Sequence, residues 1–122
     1  MPICVVVKKY KQGDIVWIDY QFIGDTESKK RPCIIISNLE SNSLDNDYII
    51  CPITTTNRIN KFSALIENKF LSRSLPKSCE VRCNKIFTYR ENKILEKHCE
   101  IIDEDFLKEV LDKVAMAIVL VK

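Results

Sequence analysis

Three polar side chains stand where apolar runs of this chain begin or end: Arg31 in KKRPCIIISN, Thr54 in CPITTT and Arg82 in EVRCNKIF. Arginine offers a planar fork of donors that matches phosphate oxygens, and its charge does not titrate away. A threonine hydroxyl both donates and accepts. Antiparallel neighbours bring the start of one strand beside the end of the next, so Arg31 and Thr54 can meet. Such a group suits binding an anion. Each residue also has a plainer use. Arg31 can pair with an acid of its own loop, Thr54 can bond the local backbone, and Arg82 can lie on the solvent face of a strand. Proton transfer has no obvious owner. The sole histidine, His98, falls in an expected turn ahead of the last helix, and the carboxylates nearest Arg31 are Asp25 and Glu27 of the preceding loop.

The elements that must position these side chains are mostly strands. Asp14–Tyr20 alternates, with Ile15, Trp17 and Asp19 on one face and Val16, Ile18 and Tyr20 on the other. A polar loop from Gly24 ends at Arg31. Pro32 has no N–H and biases Arg31 toward extended backbone, which suits a strand start, and the strand is expected over residues 33–37. Further strands are expected at 48–53, with Pro52 marking a bulge or exposed edge, at 62–66, at 80–87 and, weakly, at 93–96. Residues 54–61 read as a loop, and 68–78 as irregular chain or one helical turn. The long helix is C-terminal: Asp103 caps it, Glu104 and Asp105 suit its positive end, and Phe106, Leu107, Val110, Leu111, Val114, Ile118 and Val121 form a stripe for the core. Five or six short strands closed by one helix predict a small, mainly β barrel.

Composition narrows the function classes. A chain of 122 residues fits one domain, 1–122, with 46% hydrophobic and 30% charged residues, as in an ordinary globular protein. No apolar run is long enough to span a bilayer. In MPICVVVKKYKQGD the charges follow the short apolar patch rather than precede it, so a cytoplasmic protein without membrane association is expected. Residues 1–97 carry 16 Lys+Arg against 11 Asp+Glu, and residues 98–122 carry 3 against 6. That basic body is compatible with a polyanionic partner. Gly13 and Gly24 are the only glycines, too few for a glycine-rich phosphate loop. The six cysteines are expected as reduced thiols, with Cys33, Cys51, Cys79 and Cys83 packing as small core residues. A zinc site at Cys79, Cys83, His98 and Cys99 is the sharper alternative, but the spacing along a strand is too wide for a tight knuckle, and no metal is expected.

Taken in order, GDIVWIDY, RPCIIIS, CPITTT, EVRCNKIFT and the capped terminal helix resemble the MazF/PemK-type toxins of bacterial type II toxin–antitoxin systems, over about residues 11–121. The VRC segment is most similar to the PemK/Kid branch. The resemblance implies an SH3-like small β-barrel of the MazF/PemK/CcdB toxin fold, acting as a homodimer. It also implies a metal-independent, cofactor-free endoribonuclease that cuts single-stranded RNA at short sequences, by 2′-OH attack leaving a 2′,3′-cyclic phosphate. A cognate antitoxin laid over the active groove would inhibit it.

By the same resemblance Arg31, Thr54 and Arg82 match the residues of the cleavage site, with Lys29, Lys30, Glu27, Thr55 and Asn84 along the RNA path. The chain departs from the branch in two places: Asn84 stands where the branch carries an acid, and the first loop, which there carries histidine or a Ser-Glu-Gln-type pattern, is one residue shorter and reads GDTESKKRP. Arg31 and Arg82 are therefore expected to stabilise the transition state, Thr54 to orient the phosphate, and water or a weak loop acid to handle the proton, with slow turnover. One alternative is an RNA- or protein-binding barrel that has lost catalysis. The other, a gyrase-poisoning relative, is disfavoured because such proteins depend on a tryptophan near the C-terminus, whereas here the single tryptophan is Trp17.

Overall fold

The alternation of DIVWIDY is realised as strand β1, Asp14–Tyr20, and both of its faces are covered. Ile15 joins a cluster with Ile34, Cys51, Ile53, Val81, Phe106 and Val110, against which Trp17 packs. Val16 and Ile18 join a second cluster with Tyr10, Cys33, Ile35, Tyr48 and Ile50. The computed structural model describes residues 8–21 and 24–122. Among them the remaining strands are β2 (Lys29–Ile35), β3 (Asp47–Thr54), β4 (Ser63–Ile66), β5 (Cys79–Arg82), β6 (Phe87–Arg90) and β7 (Glu96–Glu100), with a short helix α1 (Leu39–Asn42) and the long α2 (Glu104–Ile118). The strands form one curled sheet in the order β4-β5-β3-β2-β1-β7, with β6 also on β3. The sheet curls into a half barrel, mainly β as expected, with α2 covering one of its faces.

Both prolines of the sheet sit deeper than expected, and hydrogen-bond parity explains why. The Ile35 carbonyl accepts from Gly13 on the β1 side, and the Ile36 N–H donates to Ile49 on the β3 side. Odd residues of β2 therefore turn their amides to β1, and even ones to β3. Pro32 is even, and pairing with β3 begins only at Cys33, so no ladder bond is lost there. The strand consequently starts at Lys29 rather than at the expected Cys33, because residues 29–32 pair with β1 alone.

Pro52 lies in a central strand, fully buried, with no bulge or exposed edge. By the same parity its missing N–H points to the β5/β6 side, into the gap between the pairs Ile50↔Phe87 and Ile53↔Val81. That gap also corrects the single strand expected at 80–87. The chain turns after Arg82, where the Lys85 N–H donates to the Arg82 carbonyl, and resumes as β6 farther along β3. The weak strand expected at 93–96 is a 3-10 turn at Glu91–Lys93 leading into β7, so His98 lies within a strand rather than in a turn.

Helix α2 starts where its cap predicts, the Asp103 carboxylate accepting from the Phe106 N–H at 2.9 Å. Phe106 and Val110 are buried, and Leu107, Leu111 and Val114 pack against the cluster. The stripe stops there: Ile118, the last helical residue, is 73% exposed, and Val121, expected in the stripe, lies beyond the helix end and is 81% exposed. Among the described residues no helix is long and apolar enough to cross a membrane. Cys33, Cys51, Cys79, Cys83 and Cys99 are buried free thiols, as core packing requires, and Cys4 lies outside the described residues.

Candidate active site

Strand register brings the three arginine and threonine candidates to one face. Cys33 faces Pro52 across β2 and β3, so two residues farther on Arg31 comes opposite Thr54. Thr54 faces Glu80 across β3 and β5, which sets Arg82 opposite Pro52. Side chains two apart on a strand share a face, so Arg31, Thr54 and Arg82 project together. They line one open pocket of about 430 Å³. Arg58 and Lys85 add two further cations to its wall, Thr56 a second hydroxyl, Tyr20 an aromatic ring and Asp25 the one carboxylate.

Local hydrogen bonds fix the geometry. Arg31 Nε donates to the Tyr20 carbonyl at 3.2 Å, and its Nη2 meets Asp25 Oδ2 at 2.7 Å. The Thr54 hydroxyl oxygen accepts from the Thr56 N–H at 3.1 Å, which leaves the hydroxyl hydrogen to donate to a ligand. The loop after β3 is tied down from below. Buried Glu80 accepts from the Arg58 N–H at 2.7 Å and from the Ser63 hydroxyl at 3.2 Å, holding Arg58 at the pocket wall.

A second pocket, of about 400 Å³, shares Arg31, Thr54 and Thr56 with the first. Trp17, Pro32 and Pro76 give it flat apolar walls, and Lys29, Lys30 and Lys77 make it positive. Lys30 Nζ lies 5.1 Å from the centre of the Trp17 ring and 3.0 Å from Glu96 Oε1. The Lys30 hydrogen bond holds the Glu96 carboxyl below the usual carboxylate range. Among the described residues no group of three or more His, Cys, Asp and Glu is placed to hold a metal ion.

A family model described as the PemK-like, MazF-like toxin of type II toxin-antitoxin system matches residues 11–118. The chain belongs to this toxin family. Solved structures share the fold at low identity. An endoribonuclease in complex with its cognate antitoxin from a mycobacterial species has a TM-score of 0.72 at 18% identity, covering 88% of this chain and 93% of that one. A MazE-MazF structure from Deinococcus radiodurans gives 0.70 at 18%, over 88% and 94%. The Mycobacterium tuberculosis toxin MazF-mt6 gives 0.64 at 16%, over 84% and 94%. No curated protein sequence matches the chain.

Within this toxin fold the residues singled out from sequence divide in three. Arg31, Thr54 and Arg82 converge on the first pocket, while Lys29, Lys30 and Thr55 line the second. Glu27 and Asn84 are exposed and line neither, because Asp25 is the loop acid that meets Arg31, and Asn84 lies in the turn between β5 and β6. Lys85, next to Asn84, takes the place at the wall. Sequence reasoning missed Tyr20, Thr56, Arg58 and Lys85 as site residues. The spacing Thr54, Thr56, Arg58 in TTTNR was the available signal, since alternate residues running on from a strand end continue its face.

Proposed function

We propose that this toxin is a metal-independent endoribonuclease that cleaves single-stranded RNA through attack of the 2′-oxygen on the adjacent phosphorus. The observation that carries this reading is the convergence of Arg31, Arg58, Arg82 and Lys85 on one pocket with the Thr54 hydroxyl and the Asp25 carboxylate. The 2′-O–P bond forms, the P–O5′ bond breaks, and a 2′,3′-cyclic phosphate and a free 5′-hydroxyl result. Arginine forks bind the non-bridging oxygens of the phosphorane and supply the charge compensation that a metal ion would otherwise give. Thr54 donates its hydroxyl hydrogen to the same phosphate and fixes its orientation.

In this reading Asp25 takes the 2′-OH proton. It holds Arg31 at 2.7 Å. An incoming phosphate competes for that guanidinium and frees the carboxylate to act as base. Water protonates the departing 5′-oxygen. The pocket has no histidine to serve as a matched acid, so slow turnover is expected.

The same basic surface suits an acidic segment of a cognate antitoxin, whose carboxylates would bind the forks as phosphates do. A homodimer is the expected assembly from the family likeness. The test is incubation of the purified protein with a long, unstructured RNA in excess EDTA, beside Arg31→Ala and Thr54→Ala variants. Discrete fragments with 2′,3′-cyclic phosphate ends, lost in both variants, support the reading. RNA left intact by folded, antitoxin-free protein overturns it.

A further inference from the structure

We infer that buried Glu80 is a positioning residue for RNA cleavage: it clamps the turn after β3 in a strained conformation and so sets where Arg58 meets the RNA backbone. This rests on the nuclease reading above. Glu80 stands between Thr54 of β3 and Leu65 of β4 in the ladders. Side chains alternate along β5, so Cys79 and Val81 enter the core while Glu80 and Arg82 share the opposite face, the one that carries the pocket. Arg82 is half-buried there, yet Glu80 is only 2% exposed. The chain between β3 and β4 folds over it and bonds to it.

Burying a carboxylate is costly, and stability alone would favour an apolar side chain of similar size at this position. What the carboxylate supplies is an acceptor. Its Oε1 takes both the Arg58 N–H at 2.7 Å and the Ser63 hydroxyl at 3.2 Å, and so ties together the two ends of a tight turn. Within the turn, the Asn60 side-chain carbonyl accepts from the Phe62 N–H at 2.8 Å, and the Asn60 backbone carbonyl accepts from the Ser63 N–H at 3.0 Å.

Ile59, between these bonds, has a φ of +45°. That is the left-handed region, which a β-branched residue enters only against steric resistance. Its side chain is 85% exposed, so its own packing does little to offset the strain. The bonds to Arg58 on one side and from Asn60 on the other hold it there. Ile59 directly follows Arg58, and relaxing to negative φ would carry the Arg58 backbone off Glu80. At the start of the same loop the Thr54 hydroxyl oxygen accepts from the Thr56 N–H. Arg58 therefore reaches the pocket wall from a segment fixed at both ends, which lowers the ordering cost of binding a phosphate.

The experiment measures, by anisotropy at several salt concentrations, binding of a labelled oligonucleotide that spans a mapped cleavage site and is made uncleavable by a 2′-deoxy sugar at the attacking nucleotide. Glu80→Met keeps the length of the side chain and removes the acceptor. It should flatten the slope of log K against log salt by about 0.7, as loss of one phosphate contact does, and Arg58→Ala should add nothing in that background. Glu80→Gln keeps Oε1 as an acceptor and should retain the wild-type slope. Ile59 gives a second route that leaves Glu80 and the core untouched. Ile59→Pro cannot take a positive φ and should flatten the slope to the same extent, whereas Ile59→Gly should leave it unchanged. A Glu80 that serves stability alone would lower Tm in Glu80→Met without moving the slope of the folded protein, and that result would overturn the clamp. So would a flattened slope in Glu80→Gln, additive losses in Glu80→Met/Arg58→Ala, or a wild-type slope in Ile59→Pro. With RNA still cleaved by the wild-type protein, each of these leaves the nuclease standing; wild-type protein that neither binds nor cleaves RNA overturns both.

Discussion

The Arg31 guanidinium and the Asp25 carboxylate meet at 2.7 Å between Nη2 and Oδ2, with side chains 22% and 34% exposed. The carboxylate sits where a phosphate oxygen would bind, since both anions fit the same fork. In the proposed mechanism Asp25 orients Arg31 before substrate arrives and yields to it. This pair ties the electrostatic and proton-transfer parts of the proposed mechanism to one contact.

Two substitutions separate those parts. Arg31→Lys keeps a charge but loses the planar fork, and kcat for RNA cleavage should fall about 100- to 1,000-fold, close to the loss in Arg31→Ala. Asp25→Asn keeps the size of the side chain and its hydrogen bonding but cannot accept a proton. Its rate should fall about 100-fold or more while RNA affinity is retained. An unchanged rate would remove Asp25 from the role of base.

Arg58 and Lys85 lie at the pocket wall, and the 2.7 Å carboxylate contact there belongs to Arg31. Their contribution should be mainly to RNA affinity. Each contact with a single-stranded phosphate contributes about 0.7 to the slope of log K against log salt. Arg58→Ala and Lys85→Ala should each flatten that slope by about this amount for an uncleavable RNA, as read by fluorescence titration at several salt concentrations. An unaltered slope would place the phosphates elsewhere.

Helix α2 offers a check on stability that leaves the site alone. The Asp103 carboxylate bonds the Phe106 N–H at 2.9 Å, and Phe106 stacks on Phe70 at 4.7 Å. Asp103→Ala should lower the unfolding free energy by about 1 kcal/mol, seen as a lower Tm, while RNA cleavage at a temperature where the protein stays folded is unchanged.

What the sequence disclosed follows from the range of the interactions involved. β1 and the Asp103 cap were legible because alternation and capping act within a few residues. Arg31, Thr54 and Arg82 were legible through the family likeness, and register then showed why they share a face. The positions of Pro32 and Pro52 were not legible. Whether a missing N–H matters depends on which neighbour ends where, and the gap between β5 and β6 that admits Pro52 is set by residues 83–86, far along the chain. Asp25 and Glu27 look alike in a polar loop, and only the fold directs one of them to Arg31. His98 was misplaced because its anchors, Trp17, Arg73 and Ser74, are distant in sequence.

The buried thiols make the alkaline limit of stability predictable. Burial pushes Cys51 and Cys83 up to about 12 and Cys33 higher still, and it pushes the Tyr48 phenol up to about 12. In the unfolded chain the thiols titrate near 9.0. Below that value both states hold the proton, and stability does not change on this account. Between about 9 and 12 the unfolded chain loses thiol protons that the folded one retains, so unfolding becomes easier as pH rises. Tm should therefore be level from pH 7 to about 8.5 and fall steadily above it, and the decline should be shallower in a Cys51→Ala/Cys83→Ala variant. Iodoacetamide at pH 8 should label none of the five buried cysteines in the native protein and all of them in urea, because the reactive thiolate is absent and the sulfurs are enclosed. Native labelling at Cys51 or Cys83 would show that the sheet opens there, beside the strands that carry Thr54 and Arg82.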